Sequence, residues 1–154
     1  MHMSKVPSLM GVAILILAGV ANSGPPLEED GTQYLMSKRP DYPEFIESVT
    51  RLTACKIPGP PLSWAQMRIP WARFYPQESR ANNEEGHVIM RLVFDRDWCV
   101  RKATIVKSTG FPRLDAASLK YAMTMKVSFD AKAFEDGQPV VKFPIAWSIT
   151  GLAR

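Results

Sequence analysis

The most reactive side chains in this 154-residue chain are two cysteines, Cys55 and Cys99, and one of its two histidines, His87. A cysteine beside a histidine can act as a nucleophile with its base. The sequence argues against this pairing, because His87 and Cys99 fall at opposite ends of a predicted hairpin and no side chain is placed to orient the imidazole. Asp95 and Asp97 flank the hairpin turn, where Asp commonly caps its own backbone. We therefore predict no catalytic residues and no enzyme activity.

Metal, nucleotide and nucleic-acid binding are also poorly supported. The chain has two histidines and no Cys-x-x-Cys spacing, so we predict no metal site. Gly110 is isolated and does not belong to a glycine-rich phosphate loop. The net charge of +4 is spread along the sequence without a block of like charges, which does not indicate nucleic acid. We expect no cofactor.

The N-terminus resembles an export signal. An unbroken apolar run, Leu9 to Ala21, would reach about 20 Å as a helix, which is short of the ~30 Å hydrocarbon core. Ala21-Asn22-Ser23 before Gly24 has the small-x-small pattern of a signal-peptidase site. We predict that residues 1–23 are a signal peptide, and an uncleaved inner-membrane anchor remains the alternative. In both cases the rest of the chain is exported.

Export makes the cysteine count informative. Cys55 and Cys99 are an even pair in a compartment that permits disulfides, which favours a bridge between them. Such a bridge would contribute about 4 kcal/mol by the chain-entropy relation. Two separate thiols are the alternative.

The segment 24–74 is predicted to be a linker that contains two kinds of local structure. Asp41 and Glu44 fit a capping box, and apolar residues follow at helical spacing, which predicts a short amphipathic helix. These apolar residues are Tyr42, Phe45, Ile46, Val49 and Leu52. The proline-rich stretch "KIPGPPLSWAQMRIPWARFYP" follows and predicts an extended segment.

Residues 75–154 have the pattern of a small α+β domain. "HVIMRLVFD" alternates cleanly and "VRKATIVKS" forms a second strand, so the two predict a hairpin. Asp115 is predicted to cap a helix that runs to about Lys126. "VVKFPIAWSI" alternates again, and Pro144 places this strand at a sheet edge, at least locally. The prediction is a three-stranded antiparallel sheet in the order β-β-α-β with the helix packed on one face.

Six short motifs in this region occur in the order and spacing of a known family. They are Tyr75-Pro76, Gly86-His87-Val88, Ser108-Thr109-Gly110, Leu114-Asp115-Ala116-Ala117, Phe129 and Gly137-Gln138-Pro139-Val140. With these motifs, residues 75 to 150 resemble the C-terminal domain of TonB, the periplasmic energy-transducing protein of Gram-negative bacteria. Two positions depart from the pattern: Trp98 replaces a turn glycine, and Ala131 replaces a proline.

The resemblance implies binding rather than chemistry. Domains of this family add a short peptide from an outer-membrane receptor as an extra strand at the sheet edge. It also implies a protein partner, and pairing of two copies through sheet edges. The expected partner-binding residues are Val140, Val141, Lys142, Phe143, Pro144, Ile145, Ala146, Trp147, Ser148 and Ile149. Pro144 weakens the expectation, because edge prolines also serve to prevent pairing.

The upstream sequence departs from an energised member of this family. Leu9 to Ala21 lacks the polar residues through which such a protein contacts its inner-membrane motor. We therefore expect a periplasmic binding protein for TonB-dependent transport, without evident motor coupling. The alternative is a secreted or periplasmic interaction or scaffold module of the same fold. An inner-membrane tether through the N-terminus would favour energy transduction.

Overall fold

The computed structural model describes residues 31–39 and 42–150. Its strands are β1 (Thr32–Arg39), β2 (Tyr42–Arg51), β3 (Leu62–Ser63), β4 (Gly86–Phe94), β5 (Val100–Lys107), β6 (Val127–Ser128), β7 (Ala133–Glu135) and β8 (Gln138–Trp147). Its helices are α1 (Trp71–Phe74), α2 (Gln77–Ala81) and α3 (Pro112–Met123), with a 3₁₀ turn at Trp64–Gln66. The predicted leader, residues 1–23, lies outside the described residues. No helix within the described ranges is long and apolar enough to cross a membrane.

The main sheet has six antiparallel strands in the order β1-β2-β5-β4-β8-β7, and β3 pairs in parallel with β6. The predicted α+β class is confirmed, but three strands is wrong. The predicted strands are β5, β4 and β8, which lie side by side in the sheet. β1 and β2 extend the sheet beyond β5, and β7 extends it beyond β8. These additions were missed because their pairing depends on contacts distant in sequence or on a very short strand.

The prediction of an amphipathic helix between Asp41 and Leu52 is wrong over the range that the structure describes, because residues Tyr42–Arg51 form strand β2. Val49 lies opposite Ala103 of β5, and both are fully buried. Arg51 is only 7% exposed, and its Nε donates to the carbonyl of Val100 at 3.3 Å. Strand pairing and burial therefore override the helical spacing of the apolar residues.

Helix α3 covers one face of the sheet. Strand β4 alternates as predicted, and the four side chains that it turns toward the helix are fully buried: Val88, Met90, Leu92 and Phe94. From the helix, Leu114 and Leu119 are fully buried against this face. The core therefore lies between α3 and the central strands, which fixes the orientation of β8.

The start of α3 differs from the prediction that Asp115 is its N-cap. Phe111 is the N-cap, and Pro112 occupies the first turn, where its fixed φ suits the helix and its missing N–H costs no hydrogen bond. Asp115 instead lies within the first turn, almost fully buried. Its carboxylate accepts from the backbone N–H of Thr109 at 2.9 Å and from the Thr109 hydroxyl at 2.8 Å. The aspartate therefore ties the end of β5 to the helix.

The turn between β4 and β5 has the left-handed conformation that glycine usually supplies. Trp98 occupies it with a φ of 63°, and its ring packs edge-on against Phe129 at 5.5 Å. Asp95 Oδ1 accepts from the backbone N–H groups of Asp97 and Cys99, both at 2.9 Å. The turn is therefore stabilised by its own carboxylate and by aromatic packing.

Candidate partner-binding edge

Strand β8 carries most of the residues expected to bind a partner. It pairs with β4 in an unbroken antiparallel register from Val140, opposite Val93, to Trp147, opposite Gly86. Phe143, Ile145 and Trp147 are buried toward the helix. The inner side of β8 is therefore fixed by its ladder with β4.

The outer side of β8 is only partly covered. Strand β7 pairs with Gln138, Pro139 and Val140 and then ends. From Val141 to Ala146, no strand among the described residues pairs with the outer side. This stretch lies within the range expected to bind a partner, and we call it the β8 edge.

Ser148 and Ile149 lie beyond the strand. The Ser148 hydroxyl donates to Glu85 Oε1 at 3.2 Å, and the backbone N–H of Ile149 donates to the same oxygen at 2.6 Å. These two predicted residues are therefore attached to the loop before β4 rather than to the ladder.

The register indicates which backbone groups face outward. Asp136 and Gly137, with φ of 50° and 74°, form the two-residue turn between β7 and β8. Such a turn is closed by a hydrogen-bonded pair, here Glu135 and Gln138, and backbone groups then alternate sides along the strand. Even-numbered residues of β8 therefore direct their N–H and C=O groups away from β4.

Pro144 is one of these outward-facing positions. Its missing N–H costs nothing in the ladder with β4, where it lies opposite Ile89. It removes one donor from the β8 edge, between the outward N–H groups of Lys142 and Ala146. An incoming strand would find three outward carbonyls but only these two donors at positions 142–146.

Strand β7 covers the first part of β8 with few contacts. All three of its residues are exposed, and the Phe134 side chain is 62% exposed. Apart from its ladder, an ion pair between Glu135 and Arg91 joins it to β4. β7 therefore contributes little apolar burial.

An aromatic cluster supports β8 from the helix side. The Trp64 ring packs edge-on against Phe143 at 5.5 Å and against Phe129 at 5.6 Å, and Phe129 packs against Phe94 at 5.0 Å. Trp64 is 37% exposed, so part of this cluster faces solvent. The proline-rich segment before α1 thus contributes a side chain under the candidate site.

Residues of two of the short motifs, together with the start of a third, pack near the end of β8. The Tyr75 ring packs against Trp147 at 5.2 Å, and its hydroxyl donates to the Glu84 carbonyl at 2.6 Å. Burial raises the pKa of the Tyr75 hydroxyl. Gly86 approaches Thr109 so closely that an added Cβ would lie 2.9 Å from the Thr109 carbonyl oxygen. These contacts form one packed unit beneath the end of β8.

Sequence reasoning missed Glu84, a nearly buried carboxylate at the base of this unit. It accepts from the Ser79 hydroxyl at 2.7 Å and from Arg113 Nη2 at 2.6 Å. The hydrogen bond from Arg113 holds the pKa of Glu84 below its ordinary value. The sequence signal was weak, because Glu84 and Arg113 are 29 residues apart.

The residues considered for catalysis are not brought together. His87 is the second residue of β4 and lies opposite Ala146, whereas Cys99 lies at the far end of the hairpin. The structure joins Cys99 to Cys55 in a disulfide, with the two Cα atoms 6.2 Å apart. A disulfide sulfur is not available as a thiolate nucleophile.

Comparison with known proteins supports the family suggested by these motifs. The model of the family "Gram-negative bacterial TonB protein C-terminal" matches residues 72–149, about half of the chain. Proteins named "Protein TonB" from Neisseria meningitidis serogroup C and Neisseria gonorrhoeae are 37% and 35% identical over 71 residues. The match covers 46% of this chain, and 25% and 24% of those two relatives. No solved structure matches. The chain spans about a quarter of the length of these relatives, and it belongs to the TonB family.

Proposed function

We propose that this protein is a periplasmic binding protein of TonB-dependent transport, which takes up a receptor peptide as an added strand at the β8 edge. It acts by binding and carries out no catalysis. The observation that supports this most directly is the outer side of β8 from Val141 to Ala146, which no strand in the described part of the chain covers, in a domain that matches the TonB C-terminal family. The proposed partner is the periplasmic segment of an outer-membrane receptor.

The β8 edge has the physical properties that strand addition needs. Its inner side is fixed by β4 and by burial of Phe143 and Ile145, so a peptide would meet a preformed template. Backbone hydrogen bonds would supply affinity, and the alternating side chains would set register. The outward donors of Lys142 and Ala146 would bind peptide carbonyls.

A second function is favoured by Pro144. A proline on an open edge blunts pairing with other chains, as expected of a periplasmic scaffold module that does not bind receptors. In that case Pro144→Ala should restore the missing outward N–H donor and promote association of two copies through this edge.

The test uses synthetic peptides that cover the periplasmic segments of outer-membrane receptors from the same organism. Ala146→Pro removes an outward N–H donor at an exposed position. It should weaken binding by about threefold to tenfold, which corresponds to the net contribution of one hydrogen bond. Pro144→Ala should strengthen it by a similar factor. Lys142→Ala is the matched control, because it retains the backbone N–H and should change affinity less.

Two results would count against receptor binding at this edge. One is saturable binding that neither backbone substitution alters. The other is association of Pro144→Ala into dimers with no peptide bound by any variant, which would favour the scaffold function. The proposed location, and a tether through the N-terminus, are tested by recovering the protein from periplasm and membrane fractions and measuring its mass.

A further inference from the structure

Two grooves border helix α3, one along the helix and one at its C-terminal end. The first has a volume of about 440 Å³ and is lined by Arg73, Phe74, Pro76, Arg113, Ala116, Ala117 and Lys120. The second has a volume of about 270 Å³ and contains Arg68 and Lys126 among mainly apolar side chains such as Met67 and Val127. Arg73 and Phe74 line both, so the two grooves meet at helix α1.

The charge on these grooves has one sign. Five cationic side chains line them, and no carboxylate does: Arg68, Arg73, Arg113, Lys120 and Lys126. On α3, Arg113 and Lys120 are seven residues apart and share one helix face with Ala116 and Ala117 between them. The sequence alone did not reveal this cluster, because the other cations come from separate segments.

Most of this charge is not neutralised by acidic side chains within the described residues. Arg68 donates to the carbonyls of Ala65 and Met67, and Lys126 donates to that of Gly59 at 2.6 Å. Hydrogen bonds to neutral carbonyls position these groups without cancelling their charge. Of the five cations, only Arg113 has carboxylate partners in the described ranges, namely Glu84 and Glu78.

We propose that these grooves bind an acidic polypeptide segment that carries apolar residues between its carboxylates. Charge complementarity selects the acidic partner, and the apolar lining selects its apolar side chains. A concave surface of this volume suits side chains from one segment better than a flat membrane surface. The grooves share no lining residue with the β8 edge.

The experiment measures fluorescence anisotropy of a short labelled peptide in which Glu and Leu alternate, titrated with the full chain. We expect saturable binding that weakens when the ionic strength rises from about 0.05 M to about 0.5 M, because the Debye length then falls to a few ångströms. Arg73→Glu and Lys120→Glu should each weaken it by about tenfold, because an attraction becomes a repulsion. Both side chains are exposed, so neither change disturbs the core.

Lys102→Glu is the matched control. It changes the net charge equally, but Lys102 lies on β5 on the face opposite the helix and should alter affinity by less than about twofold. Absence of saturable binding, or equal loss in all three variants, would overturn the proposal. So would binding to vesicles of equal parts phosphatidylglycerol and phosphatidylcholine without binding to the peptide.

Discussion

The indole Nε1 of Trp147 donates to the hydroxyl of Ser118 at 2.8 Å, which joins the end of β8 to the middle of α3. Both residues are buried. The Ser118 hydroxyl in turn donates to the carbonyl of Leu114 at 2.7 Å. The strand that carries the candidate binding edge is therefore held to the helix by a directional contact as well as by packing.

Removing this contact should destabilise the fold. Ser118→Ala should lower the free energy of unfolding by about 1 kcal/mol, because the indole loses a buried acceptor. Urea denaturation measures the change. A double-mutant cycle with Trp147→Phe separates this hydrogen bond from the packing of the ring. If the changes in unfolding free energy of the two single variants simply add, the hydrogen bond makes no contribution to stability and the prediction is wrong.

The link between β5 and α3 through Asp115 gives a second prediction. Asp115→Asn should lower the free energy of unfolding by about 2 kcal/mol, because the buried carboxylate accepts several hydrogen bonds from Ser108 and Thr109. Asp97→Asn makes the same chemical change at an exposed turn position and should be nearly neutral. Equal effects in the two variants would show that Asp115 has no special role.

Acid should weaken the fold through Glu84. Because its pKa is lowered in the folded protein, chiefly by the hydrogen bond from Arg113, its contribution is fully present above the ordinary value of 4.5. That contribution is lost as the pH falls through the lower, folded-state value. Arg113→Ala should therefore reduce stability at pH 7, and its difference from the unmodified protein should shrink at about pH 3. Arg96→Ala, at an exposed turn, is the control. A difference that stays constant with pH would contradict this linkage.

The disulfide should matter for stability. Replacing Cys55 and Cys99 by Ser should lower the free energy of unfolding by about 4 kcal/mol, since the bridge closes a long loop with a sequence separation of 44. Peptide mapping under non-reducing conditions checks that the bond forms. Recovery of both cysteines as free thiols from protein isolated without reductant from its own organism would contradict it.

The sequence predicted those elements whose side-chain pattern is local. The alternation of Val88 and Phe94 in β4, and of Phe143 and Trp147 in β8, matches the buried faces of the structure. Pro144 correctly indicated a strand that is partly at an edge.

The remaining elements depend on distant contacts. β2 was predicted to be a helix because its apolar residues have helical spacing, and its pairing opposite Ala103 is not encoded in that spacing. β7 is three residues long and exposed, so it has no hydrophobic pattern. The cationic grooves combine residues from α1, from α3, from the segment before α1 and from the segment after α3, which only the folded chain brings together.

The most direct test of strand addition is hydrogen exchange, resolved by residue, with and without a receptor peptide. The outward amides of Lys142 and Ala146 should exchange more slowly when the peptide binds. The inward amides of Phe143 and Ile145, already within the ladder to β4, should change little. A peptide that binds while the exchange of Lys142 and Ala146 stays unchanged would contradict the proposed site.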